Sequence, residues 1–205
     1  MNLFLLKLLS VSLIIGLFIG LFFAILRLNK NIFINRFAYG YSYIFRGTPL
    51  LVQIFIIYFG LGQIEYLRST VLWVILREPY WCAIIAFALN TGAYTSEILR
   101  AAFQTIKPGI IEAGQSLGIS SKIILPQTLR LAIPNLSNVW QITLKDTSLI
   151  SVTGLVEIMR QSYIAAGSTR DPLFFYSFAA VLYLLLTFVS MKLINRLEVK
   201  YSRGY

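Results

Sequence analysis

Lys145 and Asp146 stand side by side inside a largely apolar stretch. An unpaired charge in hydrocarbon is too costly to leave facing lipid, so this pair is the first candidate for contact with a polar ligand. Adjacent helix positions point about 100° apart, so the two need not neutralise each other and can face different neighbours. Asn138, Gln141, Lys145 and Ser148 follow helical spacing and share one face. Such a polar stripe suits the wall of a cavity, and equally suits hydrogen bonding between helices. Upstream, Asn90, Tyr94 and Glu97 are spaced four and three residues apart and fall on one face, with Arg100 and Arg46 as candidate ion partners for Glu97. The absence of His and the single Cys, Cys82, remove Ser-His and Cys-His nucleophile pairs, His-ligated metal sites and any internal disulfide. A hydrolase or transferase built on Asp146 and Glu97 would lack a nucleophile motif.

The elements that position these residues are expected to be membrane spans. Of 205 residues, 58% are hydrophobic and 13% charged, with a net charge of +10. Soluble domains carry about 25% charged residues, so the chain reads as an all-α, multi-pass transmembrane protein. Five stretches are long and apolar enough to cross, since about 20 residues are needed. They are Leu8 to Leu26, Gly47 to Ile64, Pro79 to Ser96, Leu131 to Leu155 and Pro172 to Met191. The fourth is marginal: its Leu, Ile and Val residues, at roughly 0.3 to 0.6 kcal/mol each, barely offset two central charges at about 2.5 to 3.5 each. It needs protein neighbours. The first stretch exceeds a signal-peptide core, and no convincing small-x-small cleavage site comes after it.

Basic residues give the expected direction. Arg27, Lys30, Arg36, Arg46, Arg100, Lys107, Lys122, Arg130, Lys192, Arg196, Lys200 and Arg203 fall on one side of the five-span scheme. Only Lys7, Arg68, Arg77, Arg160 and Arg170 fall on the other. The richer side is cytoplasmic, which places the N-terminus outside and the C-terminus inside and assigns the positive charge to topology and lipid rather than nucleic acid. Tyr58, Tyr80 and Trp81, near outer span ends, read as an interfacial belt. Thr48, ahead of Pro49, is expected to cap the first turn of the second span. No repeat or linker divides the chain, so residues 1–205 read as one membrane domain.

The loop from about 101 to 130 is long for this chain. Pro108 and Gly109 break the preceding helix, Ile110 to Leu117 has helical character, Gly118 is placed as its stop and Ser120 as a cap for the next helix. Glu112, Ala113 and Gly114 set one carboxylate beside small residues. That surface could fit a groove on a cytosolic partner, or be a solvated amphipathic loop.

The string EAGQSLG followed by ILPQTLRLAIPNL resembles the coupling loop of ABC importer permeases. RGTPLLVQIFIIYFGL, NTGAYTSEILRAAFQTIKPG and LKDTSLISVTGLVEIMRQ are similar to the polar amino acid branch of that family, in order along nearly the whole chain. The resemblance implies a type I (MetI-like) permease whose coupling helix docks into a cytosolic ATPase through Glu112, Ala113, Gly114, Gly118, Leu125 and Pro126, with Pro126 ending the loop. Here Gly118 and Leu125-Pro126 are several residues closer than usual, which implies less than two turns of helix beyond the docking element. The third and fourth spans would form the substrate path, with Asn90, Tyr94, Gln141, Asp146 and Glu157 along it. Asp146 and Glu157 match positions for contacts to a cationic amino acid such as arginine or lysine, an inference that the neighbouring Lys145 amine weakens. The chain has no G-x-x-x-x-G-K-[ST] loop, so no cofactor is expected on it, and ATP and Mg belong to the partner. The implied partners are an ATPase dimer, a second permease subunit, an external amino acid binding protein, the amino acid and membrane lipid. The alternative is a nonconducting assembly or regulatory subunit of such a complex.

Overall fold

The computed structural model describes residues 3–202, and within them the side chains of residues 5–119 and 122–196. The side chains of Ser120, Lys200 and Arg203 lie outside that set. The chain is a helical bundle arranged around one central helix. α1 (Leu3–Arg27) runs uncharged from Leu8 to Leu26 and stops at Arg27. α2 (Ile32–Gly47) opens on Asn31, whose side chain accepts a hydrogen bond from the Phe33 amide at 2.9 Å. α3 (Leu50–Phe55) continues through a π turn at Ile56–Gly60 and a 3₁₀ turn at Leu61–Gln63. Two short helices, α4 (Glu65–Arg68) and α5 (Trp73–Leu76), lead to α6 (Pro79–Gln104), which opens with Pro at its first position. α7 (Pro108–Ser116), α8 (Ser120–Asp146), α9 (Ile158–Thr169) and α10 (Pro172–Ser202) complete the chain.

α6 is the axis of the molecule. Some 67% of its spanning segment is buried, against 6% for α10. The main core joins Leu8 of α1, Ile54 and Ile57 of the α3 segment and Cys82, Ile84 and Phe87 of α6, with Ile150 closing it from below α9. Along the α1–α6 seam, small residues let the backbones approach. A Cβ on Gly16 would collide with Thr91 Oγ1, and one on Gly92 would lie 2.8 Å from both Ile19 Cγ2 and the Tyr41 hydroxyl. Neither can be enlarged unless the facing side chains give way or the seam opens.

Among the described residues, three helices are long and apolar enough to cross a membrane, matching the expected first, third and fifth spans. The expected second and fourth spans are not single straight helices. α2, expected as part of a connecting segment, forms a bent pair with Leu50–Gln63 at an angle of 102°. Thr48 does not cap α3. Its hydroxyl donates to the Ile44 carbonyl and so closes α2, because the chain turns there and Pro49 has no side-chain cap to offer. The fourth expected span ends as an α-helix at Asp146 and tightens into a 3₁₀ stretch, Thr147–Thr153, which Gly154 terminates at φ +85.

Candidate functional site

Lys145 and Asp146 therefore end α8 and do not interrupt it. Their depth can be read from α10. The Glu157 carboxylate, just beyond the break, meets the Tyr183 hydroxyl at 2.9 Å. Tyr183 lies eleven residues into α10, about 16 Å along its axis and so near the middle of a hydrocarbon layer roughly 30 Å thick. α9 then returns beside the first turns of α10 to Arg170, a residue in the left-handed conformation at φ +58. The expected fourth span is thus divided into the end of α8, a 3₁₀ joint and α9. Charged residues are tolerated at such depth where irregular backbone is covered by protein or lines a cavity.

The candidate substrate residues have different surroundings here. Lys145 and Asn138 are exposed on the single chain, while Gln141, Asp146 and Ser148 are half-buried. Among the described residues the Asp146 carboxylate accepts no hydrogen bond, and Gln141 reaches only Asn138, at 3.5 Å. Their polar capacity is open. Glu157 is fully buried, and its oxygens accept from the Met159 amide at 2.6 Å, the Arg160 amide at 2.7 Å and Tyr183. That carboxylate caps α9, satisfying amides that the start of a helix leaves orphaned. Asn90 donates to the Phe45 carbonyl at 2.9 Å and to Gln53 Oε1 at 3.3 Å, and Tyr94 lies under the Arg46 guanidinium, 5.3 Å from its ring centroid. Both residues lie against the α2–α3 bend.

Glu97 pairs with Arg100 at 2.8 Å, one of its expected partners, and with Arg27 at 2.9 Å in place of Arg46. Arg27 also donates to the Asn35 side chain, whose amide returns a hydrogen bond to the Arg27 carbonyl at 2.6 Å. This ties the end of α1, the start of α2 and the base of α6 into one knot. Neither the Arg27–Glu97 pairing nor the role of Gln53 follows from the sequence pattern. Gln53 is buried and donates to Phe45 O, Thr48 O and Thr48 Oγ1, so it holds the bend closed. A polar residue four positions after Pro49 in an apolar run was the available signal.

The 101–130 segment is mostly helical. Residues 101–104 belong to α6 and 120–130 to α8. Between them α7 keeps nine residues, about two and a half turns, and Gly118 stops it at φ +68. Glu112 and Ala113 are exposed, while Gly114 is buried on the side where α7 packs against α8. Pro126 does not end the loop. It lies inside α8 with Leu125, both exposed, because α8 begins at Ser120 directly after a three-residue turn.

The helical bundle, with its bent α2–α3 pair and the short exposed helix α7, is the fold of solved ABC transporter chains. The profile of the binding-protein-dependent transport system inner membrane component family matches residues 16–203. The nopaline transport system permease protein NocM of Agrobacterium fabrum is 41% identical over 194 residues, covering 92% of this chain and 80% of that protein. The arginine ABC transporter permease protein ArtQ of Haemophilus influenzae is 34% identical over 198 residues, covering 94% and 87%. The crystal structure of an amino acid ABC transporter with histidines superposes with a TM-score of 0.83 at 32% identity, over 96% of this chain and 90% of that one. The methionine transporter MetNI, at 19% identity and a TM-score of 0.79 over 98% and 94%, shares the fold. The chain belongs to the binding-protein-dependent transport system inner membrane component family and is a membrane-spanning permease subunit of an ABC importer. ATP hydrolysis in such systems resides on a separate chain.

Proposed function

We propose that this subunit imports polar amino acids with a cationic side chain. It sits in the cytoplasmic membrane with its N-terminus outside and its C-terminus inside. The observation that carries the reading is Asp146. Its half-buried carboxylate lies beside a chain break at mid-depth, has no hydrogen-bond partner among the described residues, and neighbours the open Gln141 stripe. A guanidinium or ammonium group entering there would meet an acceptor not already spent on the fold. Asn90, Tyr94 and Glu157 would support the path from behind, the first two through the α2–α3 bend and Glu157 by fixing the lower end of α9. Relatives named for nopaline and arginine agree with a basic substrate. The exposed Glu112 and Ala113 of α7, with Gly118, Leu125 and Pro126 beyond, would form the docking surface for a cytosolic ATPase dimer. That dimer binds ATP and Mg, and a second permease subunit and an external binding protein complete the importer. ATPase closure would move α7 and open the path outward by alternating access.

Reconstitution in liposomes with the cognate ATPase and binding protein, and a panel of amino acids, tests this. Substrate-stimulated ATP turnover and uptake should favour arginine or lysine. Asp146→Asn should cut uptake at least about tenfold, the equivalent of about 1.4 kcal/mol, with assembly unchanged. Unaltered uptake kinetics would remove Asp146 from the site, and ATP turnover indifferent to every amino acid would refute transport.

A further inference from the structure

Asp146 can answer only one end of the proposed substrate. An amino acid with a cationic side chain also carries an α-carboxylate, and a carboxylate brought to mid-depth without a cationic partner is strongly disfavoured. Lys145 stands beside Asp146 in the last turn of α8. Helical geometry turns the two side chains about 100° apart, so an extended lysine holds its ammonium roughly 10 Å from the Asp146 carboxylate. A partly extended arginine or lysine bridges that gap, its side-chain cation toward Asp146 and its carboxylate toward Lys145. Asn138 and Gln141 lie within about 40° of Lys145 on the same open face of α8. They add amide donors and acceptors along the strip.

Nothing else on the chain takes up the Lys145 charge. Thr147, two residues on, lines one cavity with Tyr183, which sets Lys145 near the middle of the hydrocarbon layer. Either boundary is then about 15 Å away, too far for an exposed lysine to snorkel, and facing acyl chains is too costly. Among the described residues Lys145 makes no ion pair. Glu97 is engaged by Arg27 and Arg100, and Glu157 by two amides and Tyr183. Arg160, a second cation near this depth, is turned onto the Tyr163 ring at 5.5 Å, one turn further out along α9. The free carboxylate that a second copy of the chain would bring to this level is again its Asp146.

We propose that Lys145 binds the α-carboxylate of the transported amino acid, so that the path selects molecules that carry one. This rests on the reading of Asp146 as the contact for the side-chain cation. The test uses the assembled permease–ATPase complex in detergent, without the external binding protein, which would impose a selection of its own. Equilibrium binding of radiolabelled arginine is compared with that of agmatine, which lacks only the carboxylate. The unsubstituted complex should bind arginine at least about tenfold tighter. Lys145→Gln should weaken arginine about tenfold or more and leave agmatine unchanged or tighter, erasing the preference. Asp146→Asn should weaken both ligands. A Lys145→Gln complex that keeps the preference, or weakens both ligands alike, overturns the proposal and leaves the reading of Asp146 standing. So does loss of the second permease subunit from the purified Lys145→Gln complex, which would make the lysine a contact between subunits. Arginine binding that is absent from the unsubstituted complex, or that Asp146→Asn does not weaken, counts against the substrate reading itself, and the proposal falls with it.

Discussion

Replacing Glu157 separates a structural carboxylate from a substrate ligand. Its Oε2 accepts from the Met159 amide and the Tyr183 hydroxyl, and its Oε1 from the Arg160 amide, all without solvent exposure. Gln offers one acceptor oxygen where Glu offers two. Turned so that its oxygen faces Met159, it sets an NH₂ against the Arg160 amide and leaves a buried donor orphaned, at about 1–3 kcal/mol. Ala orphans both amides and the phenol and should cost at least about 3 kcal/mol. Tyr183→Phe removes one donor and should cost about 1–2 kcal/mol, with the Glu157→Gln and Tyr183→Phe double variant losing less than the sum because the partners are shared. SDS titration of the purified complex in mixed micelles measures these differences, and uptake in liposomes is followed alongside. The expected pattern is lowered stability with the Michaelis constant nearly unchanged. Wild-type stability together with a Michaelis constant raised tenfold or more, a loss of about 1.4 kcal/mol in binding, would refute the capping argument and put Glu157 in contact with substrate.

Arg27→Gln and Glu97→Gln should each loosen the knot below α6, and a double-mutant cycle between them should give a coupling of about 0.5–3 kcal/mol that survives high salt, since both side chains are largely shielded. A coupling of zero in SDS titration would make the pair ornamental. Gly16→Leu should prevent close packing of α1 on α6 and lower the yield of assembled complex several-fold, measured by co-purification, and normal yield would contradict the seam. Gly118→Val places a β-branched residue at φ +68, a strain of about 1–2 kcal/mol, and should reduce substrate-stimulated ATP turnover more than basal turnover in the same preparation.

The sequence made the uninterrupted spans legible because α1, α6 and α10 each carry enough continuous apolar residues to be recognised by length alone. The bent and divided segments are not legible for the same reason. α2 has six aromatic residues among its 16 and carries Arg36 and Arg46, so it reads as a polar connection, and α9 is too short to register as a span. Lys145 and Asp146 looked like a costly interruption because nothing local announces that the helix tightens at Thr147. Gly154 was the one hint. Among the candidate site residues, helical spacing correctly put Asn90, Tyr94 and Glu97 on one face of α6, while their partners, Phe45, Arg46 and Arg27, depend on how α2 crosses. Glu157 could be matched to a family position, but no pattern showed that two amides and a phenol would claim it.

The three residues from Leu117 to Ile119 are all that separate α7 from α8, and that brevity governs how a push is handed on. A long tether would stretch before it pulled. This joint has almost no slack, so under the proposed docking a displacement of the small helix would pass directly into the first turns of α8, a 27-residue helix that its interior Pro126 and Pro134 divide into shorter levers. Lengthening the joint with flexible glycines would then act as a clutch, letting the motor turn while the gate stands still.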